Sequence, residues 1–354
     1  MRSFTSSCFI LFLSFFWGCD GVNPNAEGSA DQKESKEEEY RQAAEQGDAE
    51  AQFQLGQVYR RKYGPSGDYE QAIRWYLEAA NQGHAKAQRN LGHLYSDGRG
   101  VPQDYRQAFG WYQKAAEQGE PSAQANLAAA YIHGNGVSID YAKALEWAQK
   151  SAEQGNSKGQ VGLAAIYYDG LGVEKDYEEA LKWYSEAAAQ DNDDAYVMLG
   201  VLHEYGDGVL KDYGQAVGWY RKAAEEGNAK GYLYLGYMYM HGNGVEENIL
   251  EALKYFEKAA DQGEPSAQFN LGYAYEIGEA NYSQDYKQAA EWYRKAAEQG
   301  DKKAQRQLAN LFREGKGVQR DKEQAIEWYR KAEAQGDEQA EKALAEMLQS
   351  MGNS

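Results

Sequence analysis

The sequence repeats itself at intervals of 36 residues. One column of this repeat is tryptophan, with a tyrosine in the sixth place and one inserted residue after it: Trp75, Trp111, Trp147, Trp183, Trp219, Tyr255, Trp292 and Trp328. A leucine column runs in register with it: Leu55, Leu91, Leu127, Leu163, Leu199, Leu235, Leu271, Leu308 and Leu344. A fixed period of this length is typical of repeat arrays, in which each repeat covers the apolar face of its neighbour. The columns predict eight repeats over residues 48–336, numbered from the one that contains Leu55.

Each repeat is predicted to form two helices. In most repeats the second begins with Asp or Asn and has Glu or Gln three residues later, as at Asp104 and Gln107. Side chains in this pattern bond the unpaired backbone N–H groups of a first helical turn. A glycine such as Gly119 follows the helix and suits the left-handed conformation of a helix end. We expect the repeated tryptophans to be core residues, where replacement by alanine costs about 3–5 kcal/mol.

The pentapeptide HGNGV occurs at residues 133–137 and again at 241–245. A glycine-rich loop can bind phosphate, but such a loop follows a strand. His133 and His241 are three repeats apart, too far for a shared metal ion. The related GxGV pattern lies between the two helices in six repeats, where a tight turn needs positive φ. The pattern therefore predicts a structural turn, and the turns of repeats one and seven, which lack it, are expected to differ in shape.

Repeat two carries a complete pattern of small, apolar and glycine positions. Its residues are Ala87, Leu91, Gly92, Tyr95, Gly98, Gly100, Val101, Asp104, Tyr105, Ala108, Trp111, Tyr112, Ala115, Ala116 and Gly119. This pattern resembles the Sel1-like repeat family, which is similar to the tetratricopeptide repeats. The resemblance implies an all-α fold, a right-handed α-solenoid of antiparallel helix pairs. It also implies a protein–protein interaction scaffold that is not an enzyme.

The ends of the chain differ from the array. Residues 1–18 contain an apolar run of ten residues, too short to span a bilayer but suited to a secretory signal peptide. Gly18 and Cys19 resemble a bacterial lipobox, which predicts lipidation of Cys19 and an exported protein, periplasmic or anchored at the inner or outer membrane surface. Cleavage after Ala30, or no cleavage, are the alternatives. The other expected segments are a disordered tether at 19–35, a half-repeat helix at 36–47 and a capping helix at 337–350.

Composition excludes several classes of function. The formal net charge of -18 argues against nucleic acid and against electrostatic docking on anionic lipid, and it favours a monomer. Both cysteines lie in the first 20 residues, so the array has no thiolate metal site. The five histidines form no HExxH motif, and no GxSxG motif occurs. The sequence thus predicts no catalytic residue, no metal and no cofactor.

Columns that vary between repeats are free to serve a partner. Counted from the leucine of the first helix, positions −2, +2, +5 and +6 vary, and they form one helix face. In tetratricopeptide-like arrays this face lines the concave groove, so the resemblance implies the same here. The columns are polar in repeats one, two and eight and apolar between them. The predicted groove consists of Val161, Tyr168, Val197, Val201, Tyr205, Leu233, Tyr237, Met240, Phe269 and Tyr273.

The alternative for this face is that a tightly wound array buries it. If the groove is open, an apolar patch of this kind is typical of a binding site for a peptide or a partner protein. We therefore predict a scaffold of the bacterial cell envelope with a protein or peptide partner. A carbohydrate-binding scaffold in exopolysaccharide or cell-wall assembly is the second hypothesis, because tyrosine rings can stack on sugars. A hydrolase is the third, because a pair of carboxylates leaves no unique sequence pattern.

Overall fold

The computed structural model describes residues 30–61 and 68–352. In these two segments the chain forms eighteen α-helices and no strand, which confirms the all-α class. The helices are α1 Ala30–Glu45, α2 Ala49–Arg61, α3 Tyr69–Asn81, α4 Ala85–Asp97, α5 Tyr105–Glu117, α6 Pro121–His133, α7 Tyr141–Glu153, α8 Ser157–Asp169, α9 Tyr177–Ala188, α10 Asp193–Tyr205, α11 Tyr213–Glu225, α12 Ala229–His241, α13 Ile249–Asp261, α14 Pro265–Ile277, α15 Tyr286–Glu298, α16 Lys302–Glu314, α17 Lys322–Glu333 and α18 Glu338–Gly352.

The chain divides into two compact halves, an N-terminal half that ends at Asn192 and a C-terminal half that begins at Asp193. Each half contains four of the predicted repeats. Within each half, the first helix of a repeat packs against the second helix of the same repeat. That second helix then packs against the first helix of the next repeat. This succession of helix pairs is the arrangement of an α-solenoid.

The predicted caps of the second helices form through the Asp or Asn side chain, whereas the N–H of the capping residue bonds a backbone carbonyl and not the Glu or Gln side chain. In repeat two, Asp104 Oδ1 accepts a hydrogen bond from the backbone N–H of Gln107 at 3.0 Å. Asp140, which lacks the Glu or Gln partner, still accepts the N–H of Lys143 at 3.0 Å. The backbone N–H of Asp104 donates to the carbonyl oxygen of Tyr95 at 2.8 Å. One side-chain bond and one backbone bond therefore close each turn.

The turns between the helices use positive φ angles, as predicted. In the first HGNGV segment φ is 73° at Gly134 and 75° at Gly136. Repeat seven keeps positive φ at the two equivalent positions, 73° at Gly278 and 54° at Ala280. Its turn nevertheless differs, as expected, because it is one residue longer and the backbone N–H of Tyr282 donates to the carbonyl oxygen of Glu279 at 3.0 Å. The turn of repeat one lies outside the described residues.

The residue that follows the tryptophan column is buried in all eight repeats, and in six of them it is a tyrosine. The leucine column and this second column are almost fully buried, with Ala148 in place of the tyrosine in repeat three and Phe256 in repeat six. The tryptophans are only half-buried, and Lys295 Nζ lies 3.6 Å from the ring centroid of Trp292. The expectation that the tryptophans form the core is therefore wrong. Consecutive residues on a helix point about 100° apart, so one residue of the Trp-Tyr pair faces the core and the other lies at its edge.

Glutamine side chains join successive repeats in a ladder. Gln88 is buried, and its Nε2 donates to the carbonyl oxygen of Ala80 at the end of the preceding helix, at 3.0 Å. Gln118 Nε2 donates to Gln88 Oε1 at 2.7 Å. The same pair of bonds recurs at Gln52, Gln124, Gln268 and Gln305. Each such glutamine donates to a carbonyl oxygen at the end of one second helix, and it accepts a hydrogen bond from a glutamine at the end of the next second helix.

The terminal helices have bounds that differ from the predicted ones. Helix α1 begins at Ala30, inside the segment predicted as a tether, and runs through most of the predicted half-repeat helix. Helix α18 spans Glu338–Gly352, against a prediction of 337–350. The predicted signal peptide and Cys19 lie outside the described residues. Within 30–61 and 68–352, no helix has the length and apolar character to cross a membrane.

Candidate partner-binding surface

The ten residues of the predicted groove lie on first helices in both halves. Val161 and Tyr168 are on α8 in the N-terminal half. The other eight are in the C-terminal half, on α10, α12 and α14: Val197, Val201, Tyr205, Leu233, Tyr237, Met240, Phe269 and Tyr273. The two groups are therefore described separately.

The N-terminal part of the predicted groove is buried. Val161 and Tyr168 are both buried, and Tyr168 packs edge-on against Tyr177 with ring centroids 5.3 Å apart. Helices α6 and α8 contact each other directly. Alanines such as Ala129 and Ala165 occupy the groove columns there, and small side chains allow close helix contact. Val161 and Tyr168 therefore serve packing, and their assignment to an open groove is corrected.

The C-terminal part of the predicted groove is divided between buried and accessible residues. Val197, Val201 and Leu233 are buried, so their assignment as partner-binding residues is corrected as well. Tyr205 is 53% exposed and Tyr273 is 44% exposed. The accessible remainder, which we call the aromatic surface, consists of Tyr205, Tyr237, Met240, Phe269 and Tyr273.

The aromatic surface rests on rigid packing. The ring of Tyr237 lies edge-on to Phe256, with centroids 5.2 Å apart. Its hydroxyl accepts a hydrogen bond from Asn270 Nδ2 at 3.0 Å, which links α12 to α14. The ring of Phe269 packs against the buried Tyr293 at 5.6 Å. Because these rings are already held in place, binding a ligand would cost little side-chain entropy.

Two half-buried carboxylates border the aromatic surface at equivalent positions. Glu204 Oε2 accepts a hydrogen bond from the hydroxyl of Tyr220 at 2.7 Å, and Glu276 Oε2 accepts one from Tyr293 at 2.6 Å. Burial raises the pKa of Glu204 above its ordinary value. Burial also raises the pKa of Tyr220 well above its ordinary value, which keeps the hydroxyl protonated as the donor. Both glutamates stand at the variable +5 position of a first helix, but neither is among the ten predicted groove residues.

Two further apolar side chains near this surface are not among the ten predicted groove residues. Ile277 follows Tyr273 by one helical turn on α14 and is 45% exposed. Leu210 is 90% exposed in the turn that follows Tyr205. Ile277 occupies a groove column, so the column pattern contained the signal for it. Leu210 follows the GxGV pattern of repeat five, and the helix columns carry no information about turn residues.

A second aromatic cluster replaces the glutamine ladder in repeats five and six. Tyr196 and Tyr232 stand where other repeats have the ladder glutamine. Tyr196 stacks on Trp219 with centroids 5.9 Å apart, and Tyr232 stacks on Tyr255 at 6.3 Å. Lys222 Nζ lies 4.5 Å from the ring centroid of Trp219, so its ammonium already covers this ring. The cluster therefore has a structural role at the junction of repeats.

The histidines that could suggest chemistry are used in packing. His84 Nδ1 accepts the backbone N–H of Ala87 at 3.1 Å and caps α4. His93 Nδ1 lies 3.1 Å from the hydroxyl of Tyr112, and its Nε2 lies 3.3 Å from Asn126 Nδ2. In residues 30–61 and 68–352, no three His, Cys, Asp or Glu side chains are grouped so that they could hold a metal ion.

Comparison with known proteins agrees with the helix pairs and their period. The model of the Sel1 repeat matches without a gap over residues 40–48, 49–84, 85–120, 121–156, 157–192, 193–228, 229–264, 265–301 and 302–337. The chain belongs to the Sel1 repeat family. Sel1 repeats generally form a non-catalytic scaffold fold, and proteins built from them bind protein partners.

Two solved structures of Sel1-type proteins are similar to this chain. A Sel1 repeat protein from Oxalobacter formigenes shares 31% identity with a TM-score of 0.61, over 96% of this chain and 93% of that one. A protective antigen present in uropathogenic Escherichia coli strains shares 43% identity with a TM-score of 0.57, over 87% of this chain but only 66% of the antigen. The comparison with curated proteins finds no match.

Proposed function

We propose that this Sel1 repeat protein is a non-catalytic scaffold of the bacterial cell envelope that binds a partner protein through the aromatic surface of its C-terminal half. The observation that carries the proposal is the exposure of Tyr205 and Tyr273, at 53% and 44%, on a face that also presents Tyr237, Met240 and Phe269. Tyrosine and methionine are enriched at protein interfaces, because they offer large contact areas and adapt to a partner.

The charges around the surface favour a partner segment that is both apolar and basic. Glu204 and Glu276 lie beside the aromatic side chains, and Glu246, Glu247 and Glu279 lie in the following turns. Lys211, in the turn after Tyr205, already lies over the ring of Tyr213 at 4.5 Å. An amphipathic peptide could place apolar side chains on the rings and Lys or Arg near the carboxylates.

The envelope location is supported by the sequence at the start of the chain. The apolar run before Gly18 and the cysteine at position 19 suit export and lipid anchoring. The relative that is described as a protective antigen shares 43% identity with this chain. An anchored scaffold would present its array to partners at the membrane surface. Replacing Cys19 with serine should leave an exported protein that fails to label with radioactive palmitate and leaves the membrane fraction.

The partner is tested with a photo-crosslinking amino acid at position 273 in the native host. Position 250 is the matched control, because Leu250 is apolar, 38% exposed and on a second helix of the same half. We expect a discrete protein adduct from position 273, none from position 250, and loss of the adduct when Tyr205 is replaced by alanine. Equal adducts from both positions would contradict the proposal.

Carbohydrate binding by the same surface is the second candidate, because Tyr205 and Tyr273 expose ring area on which sugars could stack. The crosslinking experiment separates the two candidates. A protease-sensitive adduct of defined mass identifies a protein partner. An adduct that resists protease and is cleaved by periodate identifies a glycan, and it would replace the proposed protein partner.

A further inference from the structure

Within residues 30–61 and 68–192, Arg60 is the one half-buried arginine without a counter-ion. Arg60 lies in the last turn of α2 and is half-buried, with its Nε atom shielded from solvent. Among the described residues, no hydrogen bond or ion pair involves its guanidinium. By contrast, Arg89 pairs with Glu120 at 3.3 Å, and Arg99 pairs with Asp97 at 3.4 Å.

Arg60 lines an open pocket with an empty volume of about 270 Å³. The other polar residues that line it are Asn90, His93, Asp97 and Arg99, from α4 and the turn that follows it. Arg60 and His93 occupy the +5 and +2 columns, the face on which sequence analysis expected polar residues in repeats one and two. The pocket therefore brings two guanidinium groups together in a protein with a net charge of -18.

We propose that this pocket binds the carboxylate group of a ligand, with Arg60 as its principal contact. A half-buried guanidinium without a counter-ion is costly, and an anion in the pocket would supply the missing partner. The planar fork of arginine matches the two oxygens of a carboxylate. Asn90 adds an amide, and Arg99 adds a second guanidinium that Asp97 holds at the pocket wall.

Asp97 is the group that opposes an anion. Its carboxylate lines the same pocket, and burial raises its pKa above the ordinary value. Arg60 and Arg99 carry two positive charges and Asp97 carries one negative charge, so the net charge of these three groups is positive. The pocket is open to solvent on one side, so the carboxylate can belong to a small acid or to the end of a larger molecule that extends outside the pocket.

The proposal is tested by NMR titration of the full chain with sodium acetate at constant ionic strength, observing the arginine Nε–Hε resonances. We expect saturable shifts of the Arg60 and Arg99 signals and a linear, weak response of Arg74, which lies over Trp75 on α3. Arg60→Gln should abolish saturation at Arg99, whereas the matched variant Arg74→Gln should leave it unchanged. Arg60→Lys, which keeps the charge but loses the fork, should bind more weakly than the wild type.

Asp97→Asn supplies the complementary test, because it removes the like charge and should tighten acetate binding about fivefold. A tripeptide with a free C-terminal carboxylate, compared with its C-terminal amide, distinguishes a peptide terminus from a small acid as the source. Tighter binding of inorganic phosphate than of acetate would overturn the carboxylate assignment. A linear response in the wild type, or an Arg99 isotherm that Arg60→Gln leaves unchanged, would overturn the site. Because the pocket and the aromatic surface lie in different halves, neither result depends on the proposed function.

Discussion

The glutamine ladder can be tested by changing one atom. Replacing Gln88 with glutamate keeps the shape of the side chain but turns the donor Nε2 into an oxygen. That oxygen would lie 3.0 Å from the carbonyl oxygen of Ala80, so two acceptors would face each other. The side chain is buried, so an ionised carboxylate would also lose its hydration. A protonated carboxyl, however, could donate to Ala80 and restore the bond.

The expected cost follows from the titration of the introduced carboxyl. Burial can raise a carboxyl pKa by up to about 3–5 units, so the group would stay protonated in the folded state near pH 7. An unfolded glutamate ionises near pH 4.3, and each pH unit above that value costs the folded state about 1.4 kcal/mol. The variant should therefore lose about 3–4 kcal/mol at pH 7 and only about 1 kcal/mol at pH 5. The pKa is raised in the folded state, so stability is retained at low pH and lost as pH rises.

The assay is native-state hydrogen exchange on peptides from α3 to α6, which reports the stability of the N-terminal half at each pH. The matched control is Gln113→Glu on α5, where the side chain is exposed and bonds Glu117. This control should cost no more than about 0.5 kcal/mol, from two like charges four residues apart. If Gln88→Glu costs as little as the control, or the same at both pH values, the ladder does not support the junction between repeats.

Two other predictions concern a turn glycine and a histidine. Gly136→Ala should destabilise the N-terminal half far more than Gly155→Ala, because an added Cβ would meet the carbonyl oxygen of Tyr105 in the first case and nothing within 4 Å in the second. Both positions have positive φ, so Gly155→Ala should cost only about 1–2 kcal/mol, and equal melting temperatures would refute the close approach. Burial lowers the pKa of His203, so its contribution to stability is present above the ordinary pKa and lost as pH falls below it. His203→Tyr, which restores the column residue seen at Tyr239, should reduce the loss of stability between pH 7.5 and 5.5 in thermal melts, and an unchanged pH dependence would contradict this role.

The sequence predicts the helices and turns well, because the residues that cap the helices and form the turns recur at the same positions of each 36-residue repeat. Caps and turns depend only on residues close together in the sequence, so a single repeat is enough to predict them. Examples are the caps at Asp104 and Asp140 and the positive φ angles at Gly134 and Gly136. The glutamine column is also visible in the sequence, in every repeat except five and six. The hydrogen bonds of these glutamines could not be predicted from the column, because they depend on the contact between the end of one repeat and the start of the next.

The candidate site was predicted only in part, because helix columns give the direction of a side chain but not the distance to the neighbouring helix. Val161 and Leu233 point along the predicted face and are nevertheless buried. The alanines at positions 129 and 165 were the available signal that α6 and α8 approach closely. The half-burial of Trp292 beside a fully buried Tyr293 also depends on the packing angle, which the period does not determine.

The binding role of the aromatic surface is best tested by the affinity of the crosslinked partner, once purified, for the wild type and for Tyr273→Ala. A tyrosine offers roughly 200 Å² of surface, so an exposed fraction of 44% leaves about 90 Å² to be covered by a partner. At about 25 cal/mol per Å², complete coverage corresponds to about 2 kcal/mol, or about 30-fold in Kd. We expect a loss approaching that size for Tyr273→Ala and none for Leu250→Ala. A change of less than about twofold for both variants would contradict the assignment of the aromatic surface as the binding site.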